Sequence, residues 1–280
     1  MRNPNETTRF AIPPSPSCHP AFVHAKSVQA SFDHAQSLLV TTKLLISVRN
    51  TEEAAVVRRS GVDWIDLKEP RAGALGRPSL SEAVAVAELL KGHPQRSAAL
   101  GELWDLDEQI AFDFAPLFPV LKVGLSRVGS GDLNEPNWQS RFESLATKLR
   151  ERGSELIPVA YADWSICGAP TVPEIQQVAR QVGASHMLID TFVKDSRGLL
   201  NWLSLDDLQQ VIEAAREFNC GIVLAGSLKI ADAPQLLMLH PAALAVRGAV
   251  CHSDVTTAPH VQSRTTSIDS SKVELWRRSI

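Results

Sequence analysis

The run Trp64-Ile65-Asp66-Leu67-Lys68-Glu69-Pro70 sets a carboxylate and an amine two residues apart in an apolar stretch that a proline ends. Side chains of a β-strand alternate between its faces, so Asp66 and Lys68 should point the same way. An apolar surround lowers the pKa of a lysine, and a neutral amine can attack a carbonyl to form a Schiff base. In that reading Asp66 is the partner of Lys68, orienting the amine and shuttling its proton. A structural ion pair at a strand end is the alternative, and these residues alone leave both open.

Other residues extend the same chemistry. Lys122 follows an apolar pair and precedes Val123-Gly124. It is expected inside the fold, where a lysine without a purpose is costly. It has no carboxylate at the spacing of Asp66 and Lys68, which suits a general base or a pKa-lowering neighbour. Asp163 and Asp190 read equally well as site carboxylates and as caps of the turns that follow them. Lys194 and Lys229 fall in loops and also admit a solvated role. Glu102 carries the weakest signal, and Tyr161, the chain's one tyrosine, reads as a proton donor or as a packing group. Ala225-Gly226-Ser227 and Arg247-Gly248-Ala249 end two apolar runs. Glycines there let backbone N–H groups approach an anion, and Arg247 would add a bidentate clamp. The expected phosphate or substrate contacts are Gly226, Ser227, Lys229, Arg247, Gly248 and Asp163.

The elements that must position these residues alternate regularly from Lys43 onward. Apolar strands are predicted at 44–48, 64–69, 97–102, 120–125, 156–161, 186–191, 221–226 and 243–248. Helices are predicted between them: one capped by Thr51 and ending at Ser60-Gly61, then a second from Ser79 or Ser81 to Lys91. Further helices are predicted over 107–115, 138–152, 172–182, 205–218 with Ser204 as cap, and 230–239, with a last one over 269–278. Near-continuous apolar strands alternating with helices imply a parallel sheet covered on its outer face. Eight such units point to a single-domain (β/α)8 TIM barrel, with a doubly wound sheet as the alternative. A barrel carries its site at the C-terminal ends of its strands, which is where the residues named above collect.

Composition narrows the classes. The chain has 280 residues, 44% of them hydrophobic, enough for one large domain. A net charge of −3 offers no basic field for nucleic acid. No apolar run is long enough for a membrane span. Cys18, Cys167, Cys220 and Cys251 lie far apart with no CxxC pair, which fits a reducing cytoplasm and argues against a zinc ribbon. Residues 1–42, with Pro13-Pro14-Ser15-Pro16 and scattered His19, His24 and His34, show no sustained period and read as a poorly ordered extension; 43–280 is the catalytic barrel. The spacing of those histidines matches no metal site. The oligomeric state is not fixed by the sequence, which admits a homo-oligomer.

Six motifs, in order, carry a resemblance. They are Asp-Leu-Lys-Glu-Pro (66–70) with Gly73 and Leu75-Gly76; Leu-Lys-Val-Gly-Leu (121–125); Ala-Tyr-Ala-Asp (160–163); Ile-Asp-Thr (189–191) with Lys194-Asp195; Leu-Ala-Gly-Ser-Leu-Lys (224–229); and Val-Arg-Gly-Ala (246–249). From about Leu44 to Cys251 the chain resembles the (5-formylfuran-3-yl)methyl phosphate synthase family, also called 4-(hydroxymethyl)-2-furancarboxaldehyde-phosphate synthase. The resemblance implies a barrel enzyme of methanofuran-type cofactor biosynthesis. Such an enzyme condenses two molecules of glyceraldehyde 3-phosphate into a phosphorylated furan aldehyde, with loss of phosphate and water. It also implies the Schiff-base lysine at Lys68 and the proton-accepting lysine at Lys122, with Lys194, Asp66 and Asp190 as further site residues. No metal or cofactor is implied, because the imine supplies the electrophilic activation. Another Schiff-base aldolase acting on a phosphorylated sugar and a non-catalytic phosphate-binding barrel are the alternatives. Three features depart from the compact archaeal forms: the extension, Glu102 where they carry Gly-Asp, and the longer loop over 252–267.

Overall fold

A computed structural model describes residues 41–128, 137–195, 197–252 and 266–280. Of the expected features, residues 1–40 of the extension, most of the glycine-rich loop after the fourth strand and most of the 252–267 loop lie outside the described residues.

Eight strands pair in parallel in chain order. They are β1 (Lys43–Val48), β2 (Trp64–Leu67), β3 (Gln95–Glu102), β4 (Val120–Gly124), β5 (Glu155–Tyr161), β6 (His186–Asp190), β7 (Gly221–Leu224) and β8 (Ala243–Val246). Pairing of β1 with β8 closes the barrel, as the sequence predicts. The principal outer helices are α1 (Thr51–Arg59), α2 (Leu80–Leu89), α3 (Glu108–Phe114), α4 (Trp138–Arg150), α5 (Val172–Val182), α6 (Leu205–Arg216), α7 (Ala233–Leu237) and α8 (Ser270–Ser279). A single helical turn, Trp164–Cys167, follows β5.

The strand period of two separates the hydrophobic residues into two layers. Leu44, Ile46, Val48, Ile65 and Leu67 join the shell between strands and helices. Leu45, Trp64, Ala99, Ile157, Val159, Leu188, Val223 and Ala243 fill the interior. Asp66 follows Trp64 by two and is therefore turned inward, against Ser47 of β1 and Ser97 of β3 in the strand register.

Differences from the predicted boundaries have local causes. β2 ends at Leu67 rather than Glu69, because the Glu69 N–H bonds Gly76 O and bends the chain away from the ladder. Asn50, not Thr51, caps α1: its side chain accepts from Glu53 N at 3.0 Å. The predicted 230–239 helix is a 3₁₀ turn, Ile230–Asp232, followed by α7. Pro234 sits in the first turn of α7, where a missing N–H costs nothing.

Gly124 closes β4 beneath a partly buried contact between two neighbours. The Tyr161 hydroxyl donates to Glu102 Oε1 at 2.5 Å, and Ser126 N donates to Glu102 Oε2 at 2.9 Å. A Cβ at residue 124 would overlap both the Tyr161 hydroxyl and the Glu102 carboxylate. Gly124→Ala is therefore expected to lower stability by about 1–3 kcal/mol, the range for overpacking, as measured by denaturant unfolding. Unchanged stability would show that Glu102 and Tyr161 move apart at no cost.

Candidate active site

A cavity of about 500 Å³ opens at the C-terminal ends of the strands. Lys68, Lys122, Asp190 and Lys194 line it, together with the loops after β7 and β8. Nine of the eleven residues that the sequence placed at the site, all but Asp66 and Asp163, line this one mouth.

Two ion pairs organise it. Lys122 Nζ lies 2.7 Å from Asp66 Oδ2, with the two side chains 2% and 0% exposed. Charges this deep are stable only when paired and hydrogen-bonded. Lys194 Nζ lies 2.6 Å from Asp190 Oδ1, and Asp190 also accepts the Thr191 N–H at 2.8 Å. Lys68 Nζ sits 4.0 Å from the other oxygen of Asp190 and 3.4 Å from Ala74 O.

This arrangement leaves Lys68 the weakly compensated amine. Burial pushes its pKa down, the Asp190 anion pulls it back up, and the Lys194 and Lys122 cations push it down again, to about 7. Burial alone would raise Asp190, but the Lys194 and Lys68 cations outweigh it and hold that carboxyl at about 2. Near neutral pH about half of the Lys68 amine is therefore free to act as a nucleophile. The depressed lysine works against folding, on the order of 5 kcal/mol when fully protonated. That penalty is complete below pH 7 and gone above 10.5, so this group makes stability rise with pH across the window.

Several sequence-based assignments need correction. Asp66 is wholly buried and ion-paired with Lys122, not with Lys68. Lys122 therefore does have a carboxylate, supplied across the barrel by β2 rather than along its own strand. The partner of Lys68 is Asp190, from β6. Arg247 lines the cavity, but its guanidinium is already engaged. Its guanidinium makes a fork with Glu53 at 2.5 and 3.0 Å and donates to Ser47 O at 3.0 Å. Asp163 is taken up by the loop after β6, accepting the N–H groups of Phe192 and Val193 at 2.7 and 2.8 Å. Tyr161 donates a hydrogen bond to Glu102 and lies fully buried, with burial first and Glu102 second raising its pKa well above the ordinary phenol value.

Gly226, Ser227, Lys229, Arg247 and Gly248 line the cavity; Asp163 does not. Gly226 and Ser227 both take positive φ, 98° and 52°, which turns this loop sharply. A Cβ on Gly226 would also press on Thr191 at 3.0 Å. Sequence reasoning missed Ser47, and also Lys272, Leu275 and Trp276 of α8, all of which line the cavity. Ser47 offered a signal, a lone hydroxyl inside the apolar run of β1. The α8 residues offered none, since nothing in their spacing tells which end of the barrel they cover. Among the described residues no cluster of three or more His, Cys, Asp or Glu could hold a metal ion, and no helix is long and apolar enough to cross a membrane.

Comparison with known proteins adds an independent line. The family model of 4-HFC-P synthase matches residues 44–277. A (5-formylfuran-3-yl)methyl phosphate synthase from Methanobrevibacter smithii is 30% identical over 214 residues, 74% of this chain and 89% of that protein. A synthase of the same name from Methanosarcina acetivorans is 26% identical over 227 residues, 77% of this chain and 93% of that one. Among solved structures, KGPDC from Streptococcus mutans has a TM-score of 0.52 at 11% identity, covering 85% of this chain and 96% of that one. Thiamine phosphate pyrophosphorylase from Pyrococcus furiosus has a TM-score of 0.52 at 12% identity, covering 84% and 94%. These two share the barrel.

Two predictions follow from the charges. Titration of Lys68, read by NMR of carbon-labelled lysines, is expected near 7. Lys194→Met removes a repelling cation and should move that titration upward; Asp190→Asn removes the attracting anion and should move it downward. Shifts of the same sign in both variants would overturn this account of the amine. Arg247→Ala strands the Glu53 carboxylate in the interior and should cost about 3–5 kcal/mol of stability. A variant of normal stability with a weakened affinity for phosphate would restore Arg247 as a clamp.

Proposed function

The chain belongs to the 4-HFC-P synthase family, and from that premise we propose that it makes (5-formylfuran-3-yl)methyl phosphate from two molecules of glyceraldehyde 3-phosphate. It is accordingly an enzyme, with the chemistry of a phosphate-eliminating lyase working through an imine. One orthophosphate and two waters leave for each furan formed, which balances the atoms. The product's place is in the biosynthesis of a methanofuran-type cofactor. A cytoplasmic location fits the free thiols of Cys167, Cys220 and Cys251.

The observation that carries this reading is the Lys68 amine. It is poised at about 7, at the wall of a cavity lined by further cations. Lys68 attacks the carbonyl of one triose phosphate, and loss of water gives a protonated imine. That imine draws electrons from the neighbouring C–H bond, so a proton leaves and an enamine forms. The Lys122–Asp66 pair handles this proton. The enamine attacks the carbonyl of the second triose, and the Lys194–Asp190 pair steadies the charge that develops on oxygen. Expulsion of phosphate, ring closure and dehydration complete the furan and release Lys68. Phosphate is held by the loops after β7 and β8 through Gly226, Ser227, Lys229 and Gly248, where the left-handed turn brings backbone N–H groups toward an anion.

Incubation with glyceraldehyde 3-phosphate should yield the furan phosphate by mass spectrometry, with one equivalent of orthophosphate. Borohydride added with substrate should leave a stable mass on the peptide containing Lys68. Lys68→Arg should abolish that adduct and turnover, because a guanidinium keeps the charge but forms no imine. An adduct on Lys122 would reverse the two lysines. A trapped imine with a different sugar product would make the chain another Schiff-base aldolase, and no imine at all would favour a phosphate-binding barrel without catalysis.

A further inference from the structure

Asp66 lies beneath the cavity, and the groups around it are all donors. Ser97 Oγ donates to Asp66 Oδ1 at 2.6 Å, and Ser47 Oγ donates to Asp66 Oδ2 at 2.9 Å. The Trp64 indole N–H donates to Ser97 Oγ at 3.0 Å. An indole can only donate, so the Ser97 hydroxyl must direct its own hydrogen elsewhere, and Asp66 receives it. The direction of the chain is thereby fixed as Trp64 to Ser97 to Asp66. Ser47 and Ser97 stand beside Asp66 in the strand register, one from each flanking strand. Asp66 thus accepts two hydroxyl hydrogen bonds and stands 2.7 Å from the Lys122 amine, its counter-charge.

We propose that Ser47 and Ser97, backed by Trp64, are positioning residues that keep Asp66 ionised, so that Lys122 works first as an acid and then as a base. This deepens the imine reading above and rests on it. In the resting site Lys122 is held in a buried ion pair with Asp66, so it enters the cycle as an acid. It gives a proton to the hydroxyl of the Lys68 carbinolamine. The C–O bond breaks, water leaves, and the iminium carries the positive charge. Lys122 is now a neutral amine beside the iminium. It takes the proton from the adjacent carbon, whose C–H electron pair becomes the enamine double bond, and the ammonium is restored. Protons and charge balance over the two steps.

The need for the serines lies in the interval between those steps. While Lys122 is neutral, Asp66 is a buried anion without its cation. Its own protonation would then take the proton meant for the cycle. Hydrogen bonds to the charged form of a carboxylate favour that form, and the two hydroxyls supply them at that moment.

The test uses the full-length protein with glyceraldehyde 3-phosphate in deuterated water. Two quantities are read together: deuterium entering the carbon next to the carbonyl, and the equilibrium yield of borohydride-trapped adduct on Lys68. Ser97→Ala and Ser47→Ala should each slow deuterium entry at least about tenfold, a modest share of what general acid–base catalysis contributes, with adduct yield unchanged. Ser47→Thr keeps the hydroxyl at a residue that lines the cavity and should restore exchange. Ser47→Ala carries the test by itself should Ser97→Ala fail to fold. Unaltered exchange in the alanine variants overturns the assignment of the serines. So does a parallel fall in exchange and adduct, which a merely loosened barrel mouth would give. An unsubstituted protein that forms no imine overturns the imine reading itself, and this inference with it.

Discussion

A charge taken out of water must be compensated, and this constraint governs the mouth of the barrel. Asp66, Lys122 and Asp190 are each at most 2% exposed. Each has found its counter-charge on another strand or on the following loop. Asp66 of β2 meets Lys122 of β4, and Asp190 of β6 meets Lys194 four residues further on. Arg247, after β8, meets Glu53 of α1. Lys68 is held farther from its carboxylate, and that carboxylate is already engaged by Lys194 at the shorter distance. One amine is thus left under-compensated among pairs that are closely engaged.

The barrel pairs residues that are remote in sequence because its closed sheet brings all eight strand ends to one rim. Below the rim the interior is apolar, with Leu45, Trp64, Ile157, Val159 and Leu188. The strand period carries the same inward face upward to Ser47, Asp66, Lys122 and Asp190. One periodicity therefore fills the core and aims the site. The consequence is a lysine whose charging opposes folding, and the surrounding hydrophobic layers must outweigh it.

The family relatives and the structural neighbours speak to different levels. Proteins at 11% and 12% identity share the barrel and no more. The family match spans residues 44–277, and the lysines and carboxylates of the mouth fall within it. A scaffold is common to many chemistries, and the activity resides in the few side chains grafted on its rim.

The sequence by itself determined the eight-fold alternation, the closed barrel and the charged residues Lys68, Lys122, Asp190 and Lys194 at its mouth. These depend on local periodicity and on apolar run lengths, which a chain displays without being folded. Lys68, Lys122 and Asp190 were legible because charged groups within or at the end of apolar runs stand out, and Lys194 only by its place just beyond a strand end. Their pairing was not. Spacing along β2 joined Asp66 to Lys68, but the tilt and closure of the strands carried Asp66 to Lys122 and gave Lys68 to Asp190. Arg247 and Asp163 looked like substrate ligands at strand ends. Packing revealed that the backbone of residues 192–193 takes up Asp163, and that Arg247, though it lines the cavity, is also paired with Glu53. The tertiary structure also decided that α8 lends Lys272 and Trp276 to the cavity. Electrostatic compensation is a matter of distance in space, and a sequence records distance only along the chain.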